Sequence, residues 1–164
     1  MDVMQTGSNA PEGVTAVLIG LRDPSLLRDE VLADIFRVSA EKTGDKLLYR
    51  SGDRTVSWRE ANRLTDIAAE KLAAMGAGPG KVIGLWMPRG IDLLMAQVAI
   101  AKSGAAFLPF DADAPVDRIA TCLNDASGIG LLTNEAGVSK AHALTLPMFT
   151  SEALFAENDL ARVT

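Results

Sequence analysis

One cysteine, Cys122, and one histidine, His142, are present in 164 residues. A single thiol cannot close an internal disulfide, and its presence fits a reducing compartment. A nucleophile–histidine–acid triad or a metal site needs several such groups close together, and no Asp or Cys pattern flanks His142. Cys122 falls in a helical apolar pattern and reads as a buried core thiol; His142 reads as a surface or loop residue. Aromatics make up only 5%, so Ala, Leu, Ile, Val and Met must fill the core. No run of basic residues exists, and the net charge is −5. That argues against nucleic acid or an anionic membrane surface as a partner. Long hydrophobic runs are missing too. Leu93 to Ala101 is interrupted by Gln97 and is far shorter than the roughly 20 residues that cross a bilayer. The chain starts Met-Asp-Val-Met-Gln with no basic segment, unlike a signal peptide, so the expected location is the cytoplasm.

What is present suits one globular domain. Apolar residues make up 48%, too many for disorder, and the length supports a sizeable core. Residues 1–24 hold Gly7, Pro11, Gly13 and Pro24 and read as an irregular lead-in, with a short strand at Thr15 to Ile19. Val31, Leu32, Ile35, Phe36 and Val38 then predict a helix from Leu26 to Lys42, stopped at Gly44. Two short β-prone runs, Lys46–Arg50 and Thr55–Ser57, flank a Gly-Asp turn and predict a hairpin. Ser57-Trp-Arg-Glu60 is a capping-box pattern opening a helix on Ala61, Leu64, Ala68 and Leu72, closed by Gly76.

Gly76-Ala-Gly-Pro-Gly-Lys81 superficially resembles a phosphate loop. Met75 occupies the position where the loop's first glycine belongs, and Val82 stands where Ser or Thr should follow the lysine. The segment also runs from helix to strand, the reverse of the required order, so it reads as a helix stop and turn.

Val82–Trp86 is apolar without alternation, as in a parallel strand covered on both faces. A helix follows from Gly90 to Ser103, with Asp92 near its start and Lys102 near its end, as the helix dipole favours. It is apolar on most sides and is expected to be buried on most sides. Ala105–Leu108 is the next strand, Val116 to Leu123 the next helix face, and Gly128–Leu132 a third strand. The resulting expectation is an α/β fold: a parallel-sheet βαβαβ core with flanking helices, preceded by a helix and a β-hairpin. Beyond it, Asn134 to Ala143 reads as a polar loop, Thr145 to Phe149 as a fourth strand, and Ser151 to Leu160 as a helix capped by Ser151.

These motifs, in this order, resemble a known family. Val56-Ser-Trp-Arg-Glu-Ala-Asn62 is similar to the first signature of adenylation domains. Ala101-Lys-Ser-Gly-Ala-Ala-Phe-Leu-Pro-Phe-Asp111 is similar to the second, and Asp113–Arg118 continues it. Gly76 to Pro88 follows the intervening pattern, with Lys81 where an Asp is common. The resemblance covers about residues 30 to 135 and is nearest to the amino-acid-activating domains of nonribosomal peptide synthetases. It implies an incomplete N-terminal subdomain over residues 25–164, from a truncated or split gene. It also implies ATP, Mg²⁺ and a phosphopantetheine carrier protein for the full-length family, with no cofactor held by this chain. The family's phosphate loop, ribose-binding Asp and lid Lys lie downstream of the matching motifs. The chain alone is therefore expected to be inactive, with no catalytic, cofactor-binding or metal residue of its own and the missing remainder of the domain as partner. Glu60, Asp111 and Arg118 match family motifs and are expected to shape the scaffold, Asp111 as a cap or turn and Arg118 in an ion pair. Two alternatives stand beside this reading: a Rossmann-type nucleotide-binding module and a non-catalytic interaction scaffold. The first needs Gly-x-Gly-x-x-Gly after the first strand, where the chain has Met87-Pro-Arg-Gly90.

Overall fold

The computed structural model describes residues 23–26, 29–142 and 144–156. The expected lead-in up to residue 22 and its strand at Thr15–Ile19 lie outside them. After a 3-10 turn at Pro24–Leu26 come helix α1 (Leu32–Thr43), a hairpin of β1 (Leu47–Ser51) and β2 (Arg54–Ser57), and helix α2 (Trp58–Ala74). Then β3 (Val82–Trp86), α3 (Ile91–Lys102), β4 (Ala106–Phe110), α4 (Val116–Asp125), β5 (Gly130–Thr133), α5 (Glu135–Lys140), β6 (Met148–Thr150) and α6 (Ser151–Leu154) alternate. Strands β3 to β6 form one parallel sheet in the order β4-β3-β5-β6, and β1 and β2 pair antiparallel apart from it.

Successive strand residues point to opposite faces, and the sheet uses both. Ile83, Leu85 and Leu132 pack with Leu72, Ala96, Ala99 and Ile100 beneath α2 and α3. On the other face Trp86 and Leu131 pack with Ile119 and Leu123 of α4. Gly84 sits where α4 comes closest: a Cβ there would lie 2.9 Å from methyls of both Leu123 and Leu131. A third cluster, Phe36, Val56, Ala61, Ile91, Met95 and Val98, covers the outer side of α3 with α1, α2 and the hairpin. The apolar α3 is therefore sandwiched between the sheet and a second layer, as its composition requires, although Leu94 stays 40% exposed.

Local chemistry accounts for the element ends. Ser57 Oγ accepts from the Glu60 amide at 3.2 Å, the hydroxyl half of the expected capping box. At the far end of α2 the Gly76 amide donates to Ala73 O and the Ala77 amide to Leu72 O, both at 3.0 Å, with Gly76 at φ +97°. That is a Schellman stop, and it confirms the turn reading of Gly76–Lys81. The end of α4 repeats it with a serine in the left-handed position: Ser127 has φ +51°, and the Gly128 amide donates to Leu123 O at 2.7 Å.

Several expected boundaries are corrected. α1 begins at Leu32 rather than Leu26, where the Asp34 carboxylate accepts from the Val31 amide at 3.2 Å. β4 runs through Pro109 to Phe110, which an edge strand tolerates. β5 starts at Gly130, because Gly128 is still closing α4. The expected loop after Asn134 contains α5: Asn134 Oδ1 accepts from the Gly137 amide at 2.8 Å. The fourth strand is Met148–Thr150, and the last helix is capped by Thr150, with Ser151 buried as its first residue. Continuation of that helix past Ala156 lies outside the described residues.

Candidate functional site

In an open parallel sheet the natural ligand crevice lies beyond the carboxyl ends of the strands, where successive connections leave in opposite directions. Here that point is between β3 and β5, since β4 lies on one side of β3 and β5 on the other. The crevice is lined by Trp86, Met87, Pro88, Thr133, Asn134 and Gly137 among others and encloses ≈ 60 Å³. The buried Thr133 hydroxyl donates to the Trp86 carbonyl. Trp86 Nε1 donates to the Asp111 carbonyl at 3.0 Å. Together these bonds tie the ends of β5, β3 and β4 into one rim. Sites for small ligands enclose roughly 300–1,000 Å³, so this crevice is small beside them.

Two open hollows flank the end of β4. One, of ≈ 500 Å³, includes Met87, Arg89, Gln97, Asp111 and Asp113. The other, of ≈ 410 Å³, includes Phe110, Asp111, Asp113, Arg118 and Cys122. Among the described residues no group of three or more His, Cys, Asp or Glu could hold a metal ion.

The structure places the residues picked out by sequence as follows. Asp111 has its turn role through its main chain: its carbonyl receives Trp86 Nε1 and the Ala114 amide, the latter at 2.9 Å. Arg118 lines the same hollow but, among the described residues, joins no ion pair, contrary to expectation. Cys122 is half-buried at the hollow's wall rather than a core thiol, because it lies on the flank of α4 beside the fully buried Leu123. Glu60 is exposed on the first turn of α2. His142 is exposed after α5, with Nδ1 3.1 Å from Ser139 O.

Lys102 has a role that its position alone did not reveal. Its side chain is only 7% exposed. Nζ donates to Asp66 Oδ1 at 2.6 Å, Asn62 Oδ1 at 2.9 Å and Asn62 O at 3.1 Å, all on α2. It also lies 5.3 Å from the centre of the Phe36 ring. Desolvation pulls the ammonium below the usual lysine range, against the opposing pull of Asp66. A signal was available: Lys102 continues the α3 face that carries Met95 and Ala99, both fully buried.

The profile of the AMP-binding enzyme family matches residues 36–157. The chain belongs to that family. Among curated relatives, the Delta-poly-L-ornithine synthetase of Acinetobacter baumannii is 49% identical over 119 residues, 73% of this chain and 9% of that protein. Surfactin synthase subunit 3 of Bacillus subtilis is 31% identical over 143 residues, 87% of this chain and 11% of that protein. A nonribosomal peptide synthetase crystallised in an alpha-methyl-L-serine-AMP bound form superposes with a TM-score of 0.70 at 25% identity, over 82% of this chain and 15% of that one. The N-terminal subdomain of Klebsiella oxytoca NpsA shares the fold, with a TM-score of 0.68 at 20% identity, over 76% of this chain and 32% of that one. This chain thus spans about a tenth of these two curated relatives. Family membership favours the adenylation reading over the Rossmann-type module. The parallel β3, β4 and β5 with their crossover helices are the βαβαβ core that the sequence predicts; the strand order and the place of β6 come from the structure. Among the described residues no helix is long and apolar enough to cross a membrane.

Proposed function

We propose that residues 25–164 supply the amino-terminal part of an amino-acid-activating adenylation domain of nonribosomal peptide synthesis, with residues 1–24 as its lead-in. Such a domain converts an amino acid and ATP, with Mg²⁺, into an aminoacyl-adenylate and pyrophosphate, and passes the acyl group to a phosphopantetheine carrier in the cytoplasm. The single observation that carries this reading is the 49% identity to a poly-ornithine synthetase over 119 residues. ATP and magnesium ion are bound in a fold neighbour, an O-succinylbenzoate Coenzyme A synthetase from Bacillus subtilis. In this chain the rim of β3, β4 and β5 is a platform, and the nucleotide contacts belong to the remainder of the domain. Neither nucleic acid nor a membrane is a partner in this reading; the net charge of −5 supports that.

The test is amino-acid-dependent exchange of pyrophosphate into ATP. The chain alone shows none. Built into the Acinetobacter synthetase in place of its matching segment, it supports exchange, with L-ornithine heading the amino-acid panel. Robust exchange by the chain alone would overturn the assignment, as would a folded chimera with no exchange on any amino acid.

A further inference from the structure

Six large apolar side chains are exposed among the described residues, and three of them fall within five positions at the start of α1: Val31 at 61%, Leu32 at 48% and Ile35 at 47%. The other three, Leu47, Met75 and Leu94, are single residues on separate segments. On a helix, residues three and four apart share a face. Leu32 and Ile35 therefore continue into Ser39 and Thr43 as a strip along α1, beside the face that buries Phe36 and Ala40. The strip's two hydroxyls need no outside partner. Ser39 Oγ donates to Ile35 O at 2.7 Å, and Thr43 Oγ1 donates to Ser39 O at 2.8 Å. The ion pair of Arg37 and Glu41 lies on the opposite side of the helix. Such a strip suits an uncharged apolar occupant, because a charged one would lose hydration there and gain no bond.

The chain itself carries that occupant. No residue between Glu12 and Arg22 is charged, and Val14-Thr-Ala-Val-Leu-Ile-Gly-Leu21 holds six apolar side chains in eight positions. Apolar surface of that density is driven out of water. Leu21 stands ten positions before Val31. At 3.3–3.6 Å per residue that tether spans up to about 35 Å, and the 12 residues of α1 are about 18 Å long, so every part of the strip is within reach. A short tether also makes the contact intramolecular, with the high effective concentration that follows.

We propose that residues 14–21 of this chain dock on the α1 strip and cover Leu32 and Ile35. The contact belongs to the chain's own packing and stands apart from the adenylation reading.

The test uses the full chain with Ile35→p-benzoylphenylalanine, prepared as a mixture of unlabelled and nitrogen-labelled copies. Irradiation should cross-link position 35 to residues 14–21 of the same copy, read by mass spectrometry of the digest. In the full chain, Leu18→Asp and Ile35→Asp should each lower the thermal midpoint by several degrees, and the double variant should fall clearly short of their sum. Leu94→Asp, an exposed control on α3, should add to Leu18→Asp without coupling. If Ile35→Asp does not fold, Leu18→Ala and Ile35→Ala supply the same cycle. Cross-links confined to other parts of the chain would overturn the proposal, as would full additivity of the residue 18 and residue 35 variants. Cross-links between unlabelled and labelled copies would assign the strip to a second copy and overturn it too. None of these readouts uses exchange activity, so failure of the adenylation reading would leave them unchanged.

Discussion

Gly137→Ala is a sharp test of the rim. A Cβ on Gly137 would overlap the Thr133 hydroxyl outright and stand 3.0 Å from Thr133 Cβ and 3.2 Å from Asn134 Oδ1. Thr133 is fully buried and its hydroxyl is committed to the Trp86 carbonyl. The clash can be relieved only by moving α5 or by rotating Thr133 away from its acceptor. Overpacking a tight site costs about 1–3 kcal/mol. Stranding a buried hydroxyl adds about 1–3 kcal/mol, whereas alanine in place of glycine in a helix returns about 1 kcal/mol. The expected net loss is about 1–5 kcal/mol, centred near 3. Urea unfolding followed by tryptophan fluorescence measures it, since Trp86 is 4% exposed and sits in the rim itself. Thr133→Ala alone should cost about 1 kcal/mol through the lost bond. The double variant should be more stable than the sum of the two predicts, with a coupling of at least ~1 kcal/mol. Strict additivity, or a Gly137→Ala chain as stable as the wild type, would refute the steric account.

Three other outcomes follow from the same contacts. Ser127→Gly should stabilise the chain by about 0.5–1 kcal/mol in urea unfolding, because glycine adopts the left-handed Schellman position without a Cβ penalty. Lys102→Met keeps the stem's packing and leaves Asp66 in solvent, so it should cost less than Lys102→Ala, for which about 2–4 kcal/mol is expected. The lowered lysine means that the native state binds fewer protons than the unfolded chain. The stability advantage of wild type over Lys102→Met should therefore grow as pH rises through the lowered native value toward 10.5. Tyr49, the only tyrosine, is held above its ordinary 10.0 by desolvation. Its absorbance titration in the folded chain should have a midpoint above 10.0, and its contribution to stability should fall as pH climbs past that value. A midpoint at or below 10.0 would show that the ring is solvated.

Elements whose cause is local were legible from sequence. β3 lies at Val82–Trp86 because its apolar run has no alternation, and α2 starts at Ser57 because the hydroxyl cap is written into Ser57-Trp-Arg-Glu60. Elements whose cause is tertiary were not. α5 is six residues long and depends on Asn134 as cap and on Gly137 fitting against Thr133. Pro109 signals a strand end, yet β4 passes through it because the sheet places β4 at an edge. At α1 the apolar Leu26, Leu27 and Val31 extend the helical period upstream, but the Asp34 carboxylate fixes the start at Val31. The rim was invisible for a simpler reason: its bonds join residues 47 and 25 positions apart.

The segment from Lys102 to Arg118 resembles the second adenylation signature, and its contacts show what it does for the scaffold. Lys102 ties α3 to α2 through all its donors. Gly104 ends α3 at φ +82°, and its amide donates to Ala101 O at 3.1 Å. Pro109 closes the outer edge of β4 to further strands. Asp111 offers its carbonyl to Trp86 and Ala114 and lines an open hollow. Lys102 and Gly104 fix the entry to β4, at the amino end of the sheet, relative to α2 and α3, and Asp111 fixes its carboxyl end. The proposed reaction must align a carboxylate with a phosphate, and rigid supporting elements serve that alignment. Under the proposed function this segment serves the scaffold, and the groups that act on substrate belong to the remainder of the domain.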